Sequence, residues 1–148
     1  MGKQTDAHIA SVTTELTALK KSVTDMETAL GAFAKTWNTA LSTNTPGKFQ
    51  SALEADKKTY ENAYAHAKTS LAAAQKQLAS MDAFVTQKDK GTWNPLAKKS
   101  IGKAKKFVAN SKVQLAAVSR QILSPDRSGF SVHAAVAVQL LTNLEAKH

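Results

Sequence analysis

From Ile9 to Trp37 apolar side chains recur at alternating intervals of three and four: Ile9, Val12, Leu16, Leu19, Val23, Met26, Leu30, Phe33, Trp37. A mean period of 3.5 keeps all nine on one stripe of an α-helix, whereas in a strand the same spacing would throw them onto both faces. Such a stripe has to be pressed against other helices, as in coiled coils and helical bundles. The chain is therefore committed to helix-on-helix packing before any other residue is considered.

Prolines and glycines divide the rest of the chain. Ser42-Thr43-Asn44-Thr45-Pro46-Gly47 ends the first helix, because these side chains compete for backbone hydrogen bonds and proline removes a donor. A second apolar series, Phe49, Leu53, Tyr60, Tyr64, Ala67, Leu71, Ala74, Leu78, Met81 and Val85, weakens only where Asp56 or Lys57 takes the expected position. Asn94-Pro95 is a helix-start signal, asparagine as cap and proline in the first turn. A third series then runs Ile101, Ala104, Val108, Ser111, Leu115, Val118, Ile122 up to the break at Ser124–Gly129. In the last segment Val132, Val136, Leu140 and Leu144 share one face, widened by Val138 and Leu141. The spacing predicts helices over about 6–41, 47–86, 95–123 and 131–146, with Thr5 or Asp6 as the first cap. The expected fold is all-α: a single domain forming an elongated antiparallel bundle of three long helices and one short C-terminal one, with a coiled-coil-like hairpin in the N-terminal half.

Composition narrows the chemistry. At 148 residues with 43% hydrophobic content a self-sufficient core is available, but much of that content is alanine, which predicts a thin core between closely spaced helices. No cysteine is present, so disulfides, thiolate metal sites and cysteine nucleophiles are excluded. No apolar run approaches the length of a transmembrane helix, and the polar start Met1–Asp6 has no secretory-signal pattern. The expectation is a cytoplasmic protein without integral membrane insertion, signal-free export being left open.

No local motif points to catalysis. His8, His66, His133 and His148 are never paired at one helical turn, and a bundle-type di-iron site needs two Glu-x-x-His motifs on facing helices, which the chain does not have. Glu54, Asp56 and Glu61, like Asp25 and Glu27, stand among lysines on helices and read as solvated faces. There is no Gly-rich phosphate loop, G-x-S-x-G elbow or H-E-x-x-H. The expectation is a non-enzyme with no catalytic, metal or cofactor residues.

The third helix is chemically distinctive. Of the net charge of +9, residues 88–120 carry +8: nine Lys or Arg against Asp89 alone. With Lys98 as the origin of a helical wheel, Lys98, Lys99, Lys103, Lys105, Lys106, Lys112 and Arg120 cover about half the circle, while Ile101, Ala104, Val108, Leu115, Val118 and Ile122 occupy about 200–300°. Lys98, Lys105 and Lys112 lie seven apart on one stripe. A one-signed face gains nothing for folding, since like charges at one helical turn repel. The residues expected to meet a polyanion or an acidic partner are Lys98, Lys99, Lys105, Lys106, Lys112 and Arg120. Trp93, in the polar turn before the helix, is either a staple over a helix end or an aromatic anchor for a partner.

The functional expectation is an interaction or assembly protein that works through a protein partner or self-association. The alternative is a nonspecific nucleic-acid-binding module using the same lysines. Lysine point charges with one arginine suit phosphates better than base edges.

Overall fold

A computed structural model of the chain describes residues 2–146, with side chains as far as Asn143. Every regular element among the described residues is helical: α1 (Gly2–Leu41), a 3-10 turn (Pro46–Phe49), α2 (Gln50–Asp89), α3 (Pro95–Ile122), α4 (Pro125–Ser128) and α5 (Phe130–Ala146). The fold is all-α, as the apolar periodicity predicts. Three boundaries differ from expectation. α1 begins at Gly2 because Thr5 is not a cap. It stands one heptad before Val12 and is buried in the same stripe. The second helix is preceded by a separate 3-10 turn started by Pro46 and runs on to Asp89. The break at 124–129 contains one helical turn, closed by Ser128 N–H to Ser124 O (2.9 Å) and Gly129 N–H to Pro125 O (2.9 Å).

The residues gather into two compact units. Unit 1 comprises Met1–Lys21 and Lys68–Arg120; unit 2 comprises Ser22–Ala67 and Gln121–His148. In unit 1 Val12, Leu16 and Leu19 of α1 are buried, as are Leu71, Ala74, Leu78, Met81 and Val85 of α2 and Ile101, Ala104, Val108 and Leu115 of α3. α1 and α2 run antiparallel there: the His8 and Phe84 rings lie 4.6 Å apart, and Gln4, Ser11, Gln77 and Lys88 border the same cleft.

Unit 2 is closed differently. Val23, Met26, Ala29, Phe33 and Ala40 of α1 and Leu53, Tyr60 and Ala67 of α2 are buried with Ala134, Val138 and Leu141 of α5. Phe130 anchors α5, edge-on to Phe33 (5.1 Å) and 4.3 Å from the Tyr60 ring. The weak position in the α2 stripe is filled by a polar contact, the Thr36 hydroxyl donating to Asp56 Oδ2 at 2.8 Å.

The expected burial of α5 is corrected. Val132, Val136 and Leu140 are 68%, 55% and 59% exposed, and the helix buries Ala134, Val138 and Leu141 instead. The side chain of Leu144, the fourth member of the expected face, and His148 lie outside the described residues. The reason is that α5 is apolar on two sides, so periodicity alone does not choose between them. The choice is made by Phe130, which enters between Phe33 and Tyr60 and thereby turns the alanine-bearing side of α5 inward.

Leu19 is fully buried and Leu71 nearly so, whereas Thr14 is exposed. Leu19→Ala and Leu71→Ala should each lower stability by roughly 2–5 kcal/mol, and Thr14→Ala by about 0.5 kcal/mol or less. Urea titration followed by circular dichroism measures all three; similar losses at the three positions would contradict the packing of α1 in unit 1.

Candidate functional site: the cationic face of the third long helix

Local chemistry sets the start of α3. The Asn94 side chain accepts from the Ala97 N–H (2.8 Å), the Asn94 carbonyl accepts from the Lys98 N–H (2.9 Å), and Pro95 occupies the first turn. From there the apolar series goes inward as expected. Ile101, Ala104, Val108, Ser111, Leu115 and Ile122 are buried and Val118 is half-buried. All seven cationic residues of the helix, Lys98, Lys99, Lys103, Lys105, Lys106, Lys112 and Arg120, are exposed.

They are not equivalent. Lys105 Nζ lies 2.9 Å from Asp89 Oδ2 and Lys112 Nζ 2.8 Å from Asp82 Oδ2, across a cleft of about 220 Å³ between α2 and α3. On the wheel these two lysines flank the buried arc, at about 340° and 320°, within reach of the acids of α2. The stripe Lys98–Lys105–Lys112 is therefore split, with two of its members occupied inside unit 1. Lys98, Lys99, Lys103, Lys106 and Arg120 form a second group at about 0–140°, and no ion pair joins them to an acid among the described residues. Exposed pairs such as Lys105–Asp89 contribute little to stability; their effect is to neutralise one edge of the face and leave the outer part cationic.

Trp93 is folded back. Its indole N–H donates to the Lys88 carbonyl at 2.6 Å, and Lys88 Nζ sits 5.6 Å from the ring centres of both Trp93 and Phe84. A cation at that distance is attracted by the ring faces. Gly91 makes room for the indole, since a Cβ there would lie 2.8 Å from Trp93 Nε1. The ring closes the end of α2 and its donor is used inside the chain.

The two units differ sharply in charge. Unit 1 holds fourteen Lys or Arg and four Asp or Glu; unit 2 holds six and seven. The balance is +10 against −1. No group of three or more His, Asp or Glu capable of holding a metal occurs among the described residues. His66 and His133 are exposed and His8 is half-buried over Phe84.

One polar cluster has no signature in the sequence. In unit 2, Arg127 grips Glu27 through Nε to Oε1 (2.7 Å) and Nη2 to Oε2 (2.9 Å), Gln121 adds a bond to Oε1 (3.2 Å), and the Tyr60 hydroxyl donates to the Arg127 carbonyl (2.7 Å). Glu27 and Arg127 stand 100 residues apart, and only the return of the chain after α3 brings them together. The two-pronged bond from Arg127 holds the Glu27 carboxyl below its ordinary value of 4.5 despite partial burial, and burial pushes the Tyr60 phenol up to about 12. The cluster pins α4 to α1 and α2.

Comparison with known proteins finds no matching family, no similar curated protein and no similar solved structure.

Because the Glu27 carboxyl is depressed in the folded state, its contribution is complete above about pH 4.5 and is lost as pH falls through the folded value. Glu27→Gln should cost about 1–2 kcal/mol at pH 7, a gap to wild type that narrows as pH falls below about 4.5. Urea titrations from pH 7 into acid measure this; a gap that stays undiminished in acid would remove the carboxylate from the explanation.

Proposed function

We propose that this chain is a non-enzymatic helical interaction protein whose α3 presents a lysine-rich face to an acidic protein partner. The observation that carries the reading is the outer group Lys98, Lys99, Lys103, Lys106 and Arg120, exposed together on one side of α3 and joined to no acid by an ion pair among the described residues. Such a face steers and orients an oppositely charged surface more than it stabilises its own fold.

A protein partner is favoured over a nucleic acid by what lies between the lysines. Val113 is 70% exposed and Leu96 79% exposed, and at about 60° and 160° on the wheel both fall within or beside the cationic arc. Apolar side chains among cations suit an amphipathic acidic helix, which offers leucine beside glutamate. A phosphate backbone has no use for them. The aromatic platforms that single-stranded nucleic acid needs are absent from this face, since Phe107 is half-buried and Trp93 is folded back.

The test uses two fluorescent probes, a helical peptide of alternating Glu and Leu faces and a short duplex DNA. The peptide should bind the wild-type chain and lose at least about tenfold in affinity, or about 1.4 kcal/mol, in Lys98→Glu/Lys99→Glu/Lys106→Glu, with helical content unchanged. Lys105 and Lys112 are left alone, because reversing them would set like charges against Asp89 and Asp82. DNA binding with a log–log salt slope of about −0.9 per phosphate, together with indifference to the peptide, would transfer the face to the nucleic-acid reading. Indifference to both probes would return these lysines to the solvent.

A further inference from the structure

Asp82 and Asp89 stand seven apart on α2, as Lys105 and Lys112 do on α3. The two helices run antiparallel here, so the spacings match in reverse: Asp89 takes Lys105 at 2.9 Å and Asp82 takes Lys112 at 2.8 Å. The pairs form a short ladder along one cleft, whose apolar lining is Val85, Val108 and Ala109. α2 ends at Asp89, so no acid one heptad further on is left for Lys98. Unit 1 has four acids, Asp6, Glu15, Asp82 and Asp89. Two of the four are thus engaged with lysines of the helix that carries the excess charge.

Stability does not explain the ladder. The four side chains are 38–56% exposed, and ion pairs this open to water contribute little to folding. α3 is already anchored by Ile101, Ala104, Val108 and Leu115, all buried. What the pairs change is the charge that α3 shows along its flank. Without them the cationic arc would run unbroken from about 320° through 0° to about 140° on the wheel. With them it begins at Lys98, because an ammonium and a carboxylate in contact present almost no net charge at longer range.

We infer that Asp82 and Asp89 are built-in competitors of the acidic partner of α3: they withhold Lys105 and Lys112, lower the affinity of the contact and confine it to the outer side of the helix. This rests on the reading of α3 given above. A glutamate of the partner reaches Lys105 or Lys112 only by displacing an aspartate of the same chain, and such an exchange gains no net ion pair. The aspartates are held in place by the fold, at an effective concentration on the order of millimolar or higher, which a free partner does not match. They also repel any carboxylate that approaches along their flank, which turns the partner toward Lys99, Lys103 and Lys106. The same two residues therefore set both the strength and the orientation of the contact.

The test titrates the fluorescent Glu and Leu helical peptide into variants of the full chain at physiological salt, with helical content checked by circular dichroism. Asp82→Asn/Asp89→Asn should bind at least about threefold more tightly than wild type. Asp6→Asn/Glu15→Gln makes the same change in net charge at acids that no ion pair joins to α3 among the described residues. That control should stay within about 1.5-fold of wild type, since charges beyond a Debye length are screened. Replacing both pairs at once, with Lys105→Gln and Lys112→Gln added to the two asparagines, should return the affinity to within about 1.5-fold of wild type, because a withheld lysine counts as neutral. Asparagine variants that gain no more than the control would overturn the competition. So would a fourfold variant that binds clearly more weakly than wild type, which would show Lys105 and Lys112 already touching the peptide. Either result, with binding still lost in Lys98→Glu/Lys99→Glu/Lys106→Glu, leaves the outer face standing. A peptide that binds wild type no better than that triple variant removes the reading of α3 and the competition together.

Discussion

The apolar stripe of α1 has to be covered along its whole length, and the rest of the chain is arranged to do it. α2 supplies cover in both units, with α3 completing unit 1 and α5 completing unit 2. Alanine is what lets these helices approach: Ala74 and Ala104 stand in the core of unit 1, and Ala29, Ala40, Ala67 and Ala134 in that of unit 2. With small residues at so many contacts, the bulk needed for close packing comes from a few large side chains, Leu19, Met26, Leu53, Tyr60 and Met81 among them. A core of this kind gains much from each large residue and tolerates loss of any of them poorly.

Charge follows the same division. The excess positive charge is in unit 1, where seven of the fourteen Lys and Arg lie exposed on α3, away from its buried apolar arc. Two of the lysines are drawn to the flank by Asp82 and Asp89, which leaves the outer group as the cationic surface. In unit 2, close to neutral, the Arg127–Glu27 ion pair holds α4 in place.

The legibility of these features in the sequence depended on how many neighbours each needs. The stripe Val12–Leu16–Leu19–Val23–Met26, the Asn94-Pro95 start of α3 and the breaks at the three prolines are local, and each was readable from a few adjacent residues. The cationic face of α3 was readable too, because lysine positions and helical geometry suffice to place it. The pairing of Lys105 and Lys112 with acids of α2 was not, since nothing in α3 itself reports which acids stand opposite. Trp93 admitted two readings until the position of the Lys88 carbonyl was known.

The sequence by itself determined that the chain is helical, where the long helices break and which side of α3 is charged, because those properties depend on a period of 3.5 and on proline, glycine and lysine placement. Only the tertiary structure decided which side of α5 is buried, because both sides are apolar and the choice rests on where Phe130 inserts. It also decided the partnership of Glu27 with Arg127 and Tyr60, three residues far apart in the chain whose interaction exists only once α1, α2 and the turn after α3 have met. Periodicity records what a segment must hide; it carries no information about which of two equally apolar faces its neighbours will cover.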